Sequence, residues 1–157
     1  PLFPRRIAIP PIQAAGGFCA KNPFKKPGKI RFDTIHALRL GQEAKALGVD
    51  AVLTVTPYYN KTTQQGLLRH YLFLAEGVEL PMLLYNVPSR TGMSFRAETY
   101  AALAEHPNIY GVKEASGDFG LILRTRALCP EDFALYSGND DQIVPILALG
   151  GLGGIST

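Results

Sequence analysis

Lys113 lies in Gly111-Val112-Lys113-Glu114-Ala115-Ser116-Gly117, inside an apolar run where an ammonium group has no ordinary structural use. Burial penalises the charged form of an amine, so the pKa of such a lysine falls, and the neutral amine is the nucleophile that forms a Schiff base with a ketone or aldehyde. Two plainer readings stand beside this one: a lysine snorkelling at a strand end, or a lysine paired with the neighbouring Glu114. Tyr85 precedes Asn86-Val87-Pro88-Ser89-Arg90-Thr91-Gly92, a turn-rich loop that would project a phenol and a guanidinium together. A phenol can relay protons during carbinolamine formation and dehydration, and an arginine fork can hold a carboxylate bidentately. Singly, a strand tyrosine usually packs and an arginine usually meets solvent. Their placement beside a strand lysine is what raises the chemical reading.

No metal centre is indicated. His36, His70 and His106 fall in three separate helical segments, with no carboxylate or cysteine spaced to join them, and read as surface or packing residues. Cys19 and Cys129 lie far apart in no ligand-like pattern, which leaves them as buried or free thiols.

The elements that must position Lys113 and Tyr85 follow from periodicity. Ile35, Leu38, Ala44 and Leu47 recur at near-helical spacing behind Asp33 or Thr34 as N-cap, and Gly48 follows as a stop signal, so a helix is expected over about 34–47. Residues 51–56 form a short β-branched run without polar alternation, expected as a buried central strand covered on both faces. Thr62 and Gln65 have capping-box spacing ahead of an apolar stripe through Leu67, Leu68, Tyr71, Leu72 and Ala75. Strands are then expected at 82–87, 109–114 and 133–137 and at a final segment opening with Gly154-Ile155-Ser156. Helices are expected near 95–105, 119–128 and 140–149.

Five strands alternating with helices imply a parallel sheet, either open and doubly wound or part of a (β/α)8 barrel. The unusual polar residues collect at the C-terminal ends of successive strands: Tyr58 and Tyr59, Tyr85 with Arg90, Lys113 with Glu114, and Asn139 with Asp140. A barrel builds its active site on that rim, whereas a dinucleotide fold would show a glycine-rich loop after its first strand, and no GxGxxG occurs.

The chain has 157 residues, 46% of them hydrophobic and 18% charged, which suits one globular domain. No stretch reaches the roughly 18 apolar residues of a membrane helix, and no signal-peptide core is present, which points to a cytoplasmic address. The net charge of +3 conceals a split: residues 1–32 hold seven Lys or Arg and no Asp or Glu, together with six of the twelve prolines. This basic segment, 1–33, reads as a solvated tail set apart from a domain at 34–157. Nucleic-acid binding is set aside, because its aromatics are only the scattered Phe3, Phe18, Phe24 and Phe32 and no binding motif accompanies them.

From about residue 34 onward the chain resembles the dihydrodipicolinate synthase (4-hydroxy-tetrahydrodipicolinate synthase) family of the pyruvate-dependent class I aldolase superfamily. The motifs that carry the resemblance are LTVTPYYNKTTQQGL (53–67), LLYNVPSRTG (83–92), GVKEASGD (111–118), YSGND (136–140) and GGLGGIS (150–156). Related lyases of the superfamily share the tyrosine and the lysine, but the loop with Arg90 looks like the synthase branch.

The resemblance implies a partial (β/α)8 TIM barrel comprising strands four to eight. It implies that Lys113 forms the Schiff base with pyruvate, that Tyr85 is the catalytic phenol, and that Tyr59 enters a neighbouring subunit's proton relay. Arg90 would bind the carboxylate of aspartate semialdehyde, with Thr91 in the same loop and the Ile155 carbonyl facing the pyruvate pocket. The reaction implied is condensation of pyruvate with L-aspartate 4-semialdehyde in lysine and diaminopimelate biosynthesis. No metal or organic cofactor is implied, and the family is commonly a tetramer built from tight dimers.

The departures are equally specific. The family's first strands have no counterpart, nor does its Gly-Thr-Thr-Gly-Glu loop, since Thr62-Thr63 belongs to the loop after Tyr59. The abrupt change at Asp33 is what an upstream reading-frame shift or fusion would produce, and the other frames of the encoding DNA test that expectation. The alternative function is then a non-catalytic fragment or assembly piece of the family, or a related pyruvate-dependent aldolase.

Overall fold

The computed structural model describes residues 33–156. The expectations for the basic segment and for Cys19 fall outside them, Asp33 excepted. Helix α1 (Thr34–Ala46) starts where the Asp33 carboxylate accepts the His36 N–H at 2.8 Å, and it stops ahead of Gly48, whose φ of +80° favours glycine. The elements β1 (Val52–Val55), α2 (Gln64–Val78), β2 (Met82–Asn86), the single turn α3 (Pro88–Thr91) and α4 (Ala97–Ala104) follow. After them come β3 (Ile109–Glu114), α5 (Phe119–Leu128), β4 (Ala134–Ser137), a 3-10 turn running into α6 (Ile143–Ala148), and β5 (Gly153–Gly154).

The five strands pair in parallel in the order β1-β2-β3-β4-β5, so each strand–helix–strand unit lays its second strand beside its first. One row of the register runs Val55–Tyr85–Lys113–Tyr136–Gly153. Side chains alternate along a strand. Leu84, Val112 and Leu135 therefore turn to the helices, where they join Leu67, Tyr71, Tyr100, Ile122 and Ile146 in the main core. The row bearing Tyr85 and Lys113 turns to the other face. Behind the sheet, Tyr71, Phe95, Tyr100 and Phe133 form a run of rings with successive centroids 5.4, 4.6 and 6.4 Å apart.

Two local expectations need correction. β1 is not a central strand: among the described residues it is the sheet edge, paired only with β2, and Leu53 is 49% exposed. The cap of α2 is Thr63, whose hydroxyl accepts the Gly66 N–H at 3.1 Å, and not Thr62. Starting the helix one residue later leaves Gln64 in its first turn, and its amide joins α2 to α4 by bonds to the Ser94 carbonyl, the Arg96 N–H and the Thr99 hydroxyl.

No described helix is long and apolar enough to cross a membrane. Strands β3 and β4 approach so closely at Gly111 that a Cβ there would overlap the Ala134 carbonyl oxygen, which is backbone and cannot swing aside. Gly111→Ala is therefore expected to cost about 3 kcal/mol or more of stability, at the upper end of overpacking effects. Urea denaturation checks it, and a loss under about 1 kcal/mol would mean that the two strands separate easily.

Candidate active site

Lys113 is the fifth residue of β3, a strand whose residues are buried except for half-buried Tyr110. Its side chain is only 3% exposed, which removes the snorkelling reading. The pairing reading fails on geometry as well. Lys113 and Glu114 are consecutive in a strand and face opposite sides of the sheet, and Glu114 takes its hydrogen bonds from Asn86, Tyr100 and Ser116. Among the described residues the one ion pair is Lys45–Glu79, far along the chain from both.

What Lys113 does meet is its register partner. Its Nζ stands 4.4 Å from the centroid of the Tyr85 ring. The ring face favours a cation, but burial outweighs it, and the amine's pKa is lowered from the ordinary lysine value by desolvation. The stem of the lysine lies against bare backbone: a Cβ on Gly138 would sit 3.1 Å from Lys113 Cε and 2.6 Å from Ala115 Cβ. Gly138 also donates its N–H to the Glu114 carbonyl at 2.7 Å. Sequence reasoning assigned Gly138 no role, and the only available signal was a glycine directly after a strand, where close approach is common.

A depressed pKa has a kinetic sign. Below it the amine is cationic and inert, and above it the neutral form is fully present. The rate at which Lys113 reacts with a keto-acid probe should rise with pH and level off below the ordinary lysine value of about 10.4. Single-turnover trapping across pH reads this, and a rate still climbing at that value would show that the amine is not desolvated.

The remaining candidates sit at the same C-terminal ends of the strands. Arg90 is exposed on α3, a turn opened by Pro88 and closed by Gly92 at φ +66°, and among the described residues its guanidinium has no hydrogen-bond or ion-pair partner. Thr91 is buried, and its hydroxyl is committed to the loop itself, donating to the carbonyls of Val87 at 3.2 Å and Met93 at 3.0 Å. That commitment fixes the turn that carries Arg90. Tyr59 is 78% exposed in the loop after β1. Ile155, just past β5, donates its N–H to the Ser137 carbonyl at 2.7 Å. The structure thus brings Tyr85 and Lys113 into contact and sets Arg90, Thr91, Tyr59 and Ile155 on the loops of that end.

Among the described residues no group of three or more His, Cys, Asp or Glu could hold a metal ion. His70 shares a 2.8 Å hydrogen bond with the Thr34 hydroxyl, and burial brings its pKa down to about 4, so it ties α1 to α2 as a neutral ring. His106 accepts the Asn108 N–H at 3.1 Å, and Cys129 is a buried free thiol. A cleft of about 360 Å³ between α4 and α5 is lined by Arg96, Glu98, Asp118 and Arg124 among others, and Lys113 takes no part in it.

Comparison with known proteins yields a consistent set. The family model described as "Dihydrodipicolinate synthetase family" matches residues 32–157. The 4-hydroxy-tetrahydrodipicolinate synthase of Macrococcus caseolyticus is 58% identical over 114 residues, covering 73% of this chain and 38% of that protein. The protein of the same name from Acetivibrio thermocellus is 52% identical over 125 residues, covering 79% and 42%. Among solved structures, a lysine-bound synthase from Cyanidioschyzon merolae superposes with a TM-score of 0.77 at 46% identity, over 80% of this chain and 43% of that one. A chloride-inhibited synthase from Acinetobacter baumannii, complexed with pyruvate, gives a TM-score of 0.75 at 45% identity over the same shares. The chain spans about two fifths of the length of the curated relatives it matches.

Proposed function

The chain belongs to the dihydrodipicolinate synthetase family, and from that premise we propose that Lys113 captures pyruvate as a Schiff base for condensation with L-aspartate 4-semialdehyde. The product would be 4-hydroxy-tetrahydrodipicolinate, on the route to lysine and diaminopimelate. The observation that carries this reading is the buried amine with a depressed pKa, 4.4 Å from the centre of the Tyr85 ring. The fold supports it: five parallel strands with helices between them form part of a (β/α)8 barrel, with the site at the strands' C-terminal ends.

The neutral amine attacks the keto carbon of pyruvate, and the carbinolamine loses its oxygen as water to leave an iminium. That step needs one proton delivered to the departing oxygen, and Tyr85 is the phenol positioned to relay it. Loss of a methyl proton then gives the enamine, whose carbon attacks the aldehyde of the second substrate while the aldehyde oxygen takes up a proton. The second substrate's own amine then adds to the iminium carbon and expels Lys113 as the free amine, which closes the ring. Arg90 holds that substrate's carboxylate, on the loop that the Thr91 hydroxyl keeps closed. Tyr59, exposed beside the site, is read as the residue that enters a neighbouring subunit's relay, and the Ile155 carbonyl as a wall of the pyruvate pocket. The reading carries with it a cytoplasmic homo-oligomer, a barrel segment at 34–157 and a separate basic segment at 1–33. The family match beginning at residue 32 supports that division.

Borohydride reduction in the presence of pyruvate, followed by intact mass and peptide mapping, tests the proposal. A single adduct on Lys113 is the expected result, and its absence from a folded sample overturns the reading. Arg90→Ala is expected to leave pyruvate capture within about twofold while raising the KM for the semialdehyde roughly 10- to 100-fold, the worth of a lost charged hydrogen bond. An equal loss of both activities would refute that division of roles.

A second reading is favoured by coverage and by the edge strand. A segment matching two fifths of its relatives, with Leu53 of β1 half exposed, is also suited to be a non-catalytic assembly piece. A folded, associating chain that never forms the adduct would establish it.

A further inference from the structure

Directly behind the two reacting side chains, on the helix face of the sheet, the next residue of each strand carries a second polar pair. Asn86 follows Tyr85, Glu114 follows Lys113, and the two are register partners. The Asn86 amide donates to both Glu114 oxygens at 3.0 and 3.1 Å, the Tyr100 phenol donates to Oε2 at 2.9 Å, and the Ser116 N–H donates to Oε1 at 2.8 Å. The same amide nitrogen reaches the Ser94 hydroxyl at 3.0 Å, on the loop that follows α3. Asn86 and Glu114 are 0% and 1% exposed.

This arrangement is costly. Burial pushes the Glu114 pKa up, although the Ser116, Tyr100 and Asn86 bonds pull against that. No cation is bonded to the carboxylate among the described residues, and the Asn86 Oδ1 is buried there with no partner. An apolar pair would hold two strands together at lower cost. What it would not do is fix their sliding position, which directional bonds between donor and acceptor do.

We propose that Glu114 is a positioning residue, which through Asn86 locks the ends of β2 and β3 in the one register that lays the Tyr85 ring over the Lys113 amine. The inference rests on the role proposed for Lys113 and extends it: the carboxylate touches no substrate and acts only through the strands. A displacement of about 1 Å at reacting groups can cost about a hundredfold in rate.

The polarity of the pair supplies the test. Glu114→Gln replaces with a donor one of the two acceptor oxygens that the Asn86 amide bridges, and Asn86→Asp replaces that bridging donor with an acceptor, while the double variant restores a matched bond with its direction reversed. The measurement is the rate constant for borohydride-trapped pyruvate adduct on Lys113 in the full chain, with the half-saturating pyruvate concentration read alongside. Each single variant should lower the rate constant about tenfold or more with half-saturation unchanged, and the double variant should recover most of the loss.

Single variants that keep the native far-UV circular dichroism and react at the unaltered rate overturn the proposal, as does a double variant no faster than the singles. If the singles do not fold, Tyr100→Phe removes one bond to the carboxylate and keeps the ring. A rate lower by about threefold or more supports the proposal, and an unchanged rate overturns it. Acetic anhydride labelling of Lys113, read by peptide mass, separates this inference from the one beneath it. A native chain that labels but yields no pyruvate adduct refutes the Schiff-base reading alone. The variants' labelling rates then decide the positioning claim, supporting it if altered and overturning it if not.

Discussion

Replacing Lys113 with alanine should abolish the borohydride-stable pyruvate adduct altogether, because among the described residues no other lysine is buried. Elsewhere in the described chain Lys45 is held by Glu79 at 2.7 Å in an exposed pair, and Lys61 is exposed. Lys113 differs in being 3% exposed, stacked against a phenol and free of any carboxylate. Lys113→Met, which keeps most of the side-chain volume, should abolish the adduct equally without opening a cavity, so the loss can be assigned to the nitrogen. The same experiment reads stability. A desolvated amine is a cost to the folded state below its ordinary pKa, so the methionine variant should melt no lower than the parent. An adduct that persists on any other lysine in either variant would remove Lys113 from the chemistry.

The second large effect is expected at Tyr85. Tyr85→Phe keeps the ring over the amine and deletes only the hydroxyl, so the contact that shapes the lysine survives while the proton relay does not. Loss of a general acid–base group costs about 100- to 10,000-fold. The rate of adduct formation should fall within that range, with the half-saturating pyruvate concentration changing little because the keto acid's own contacts remain. A fall confined to half-saturation, at constant maximal rate, would make Tyr85 a binding residue only.

How much of this could be read from the residues depends on which interactions are local. The Asp33 cap, Gly48, and the alternation of strands and helices are set by neighbours within a few positions, and each appears where periodicity places it. The cap of α2 shifted from Thr62 to Thr63 because both can accept a backbone N–H, and the choice is made by Gln64 reaching α4, 30 and more residues away. β1 looked central because an apolar, β-branched run is the same whether a strand has one neighbour or two.

The site divides in the same manner. An unusual lysine in an apolar strand is visible in one dimension, and so is a tyrosine at the end of the strand before it. Glu114 was legible only in part: strand alternation alone puts it on the face opposite Lys113, which argues against pairing. Its actual partners, Asn86 and Tyr100, lie 28 and 14 residues distant. Gly138 was silent, since the absence of a Cβ means nothing until the Lys113 stem is seen against it.

The chain contains no tryptophan, so its intrinsic emission comes from tyrosines alone. Tyr100 is one of them, fully buried, donating to a carboxylate and stacked on Phe95 at 4.6 Å. A phenol bonded in this way is a quenched fluorophore that brightens when the bond opens. Opening of that bond would thus register, without a label, as added brightness over the emission of the other six tyrosines.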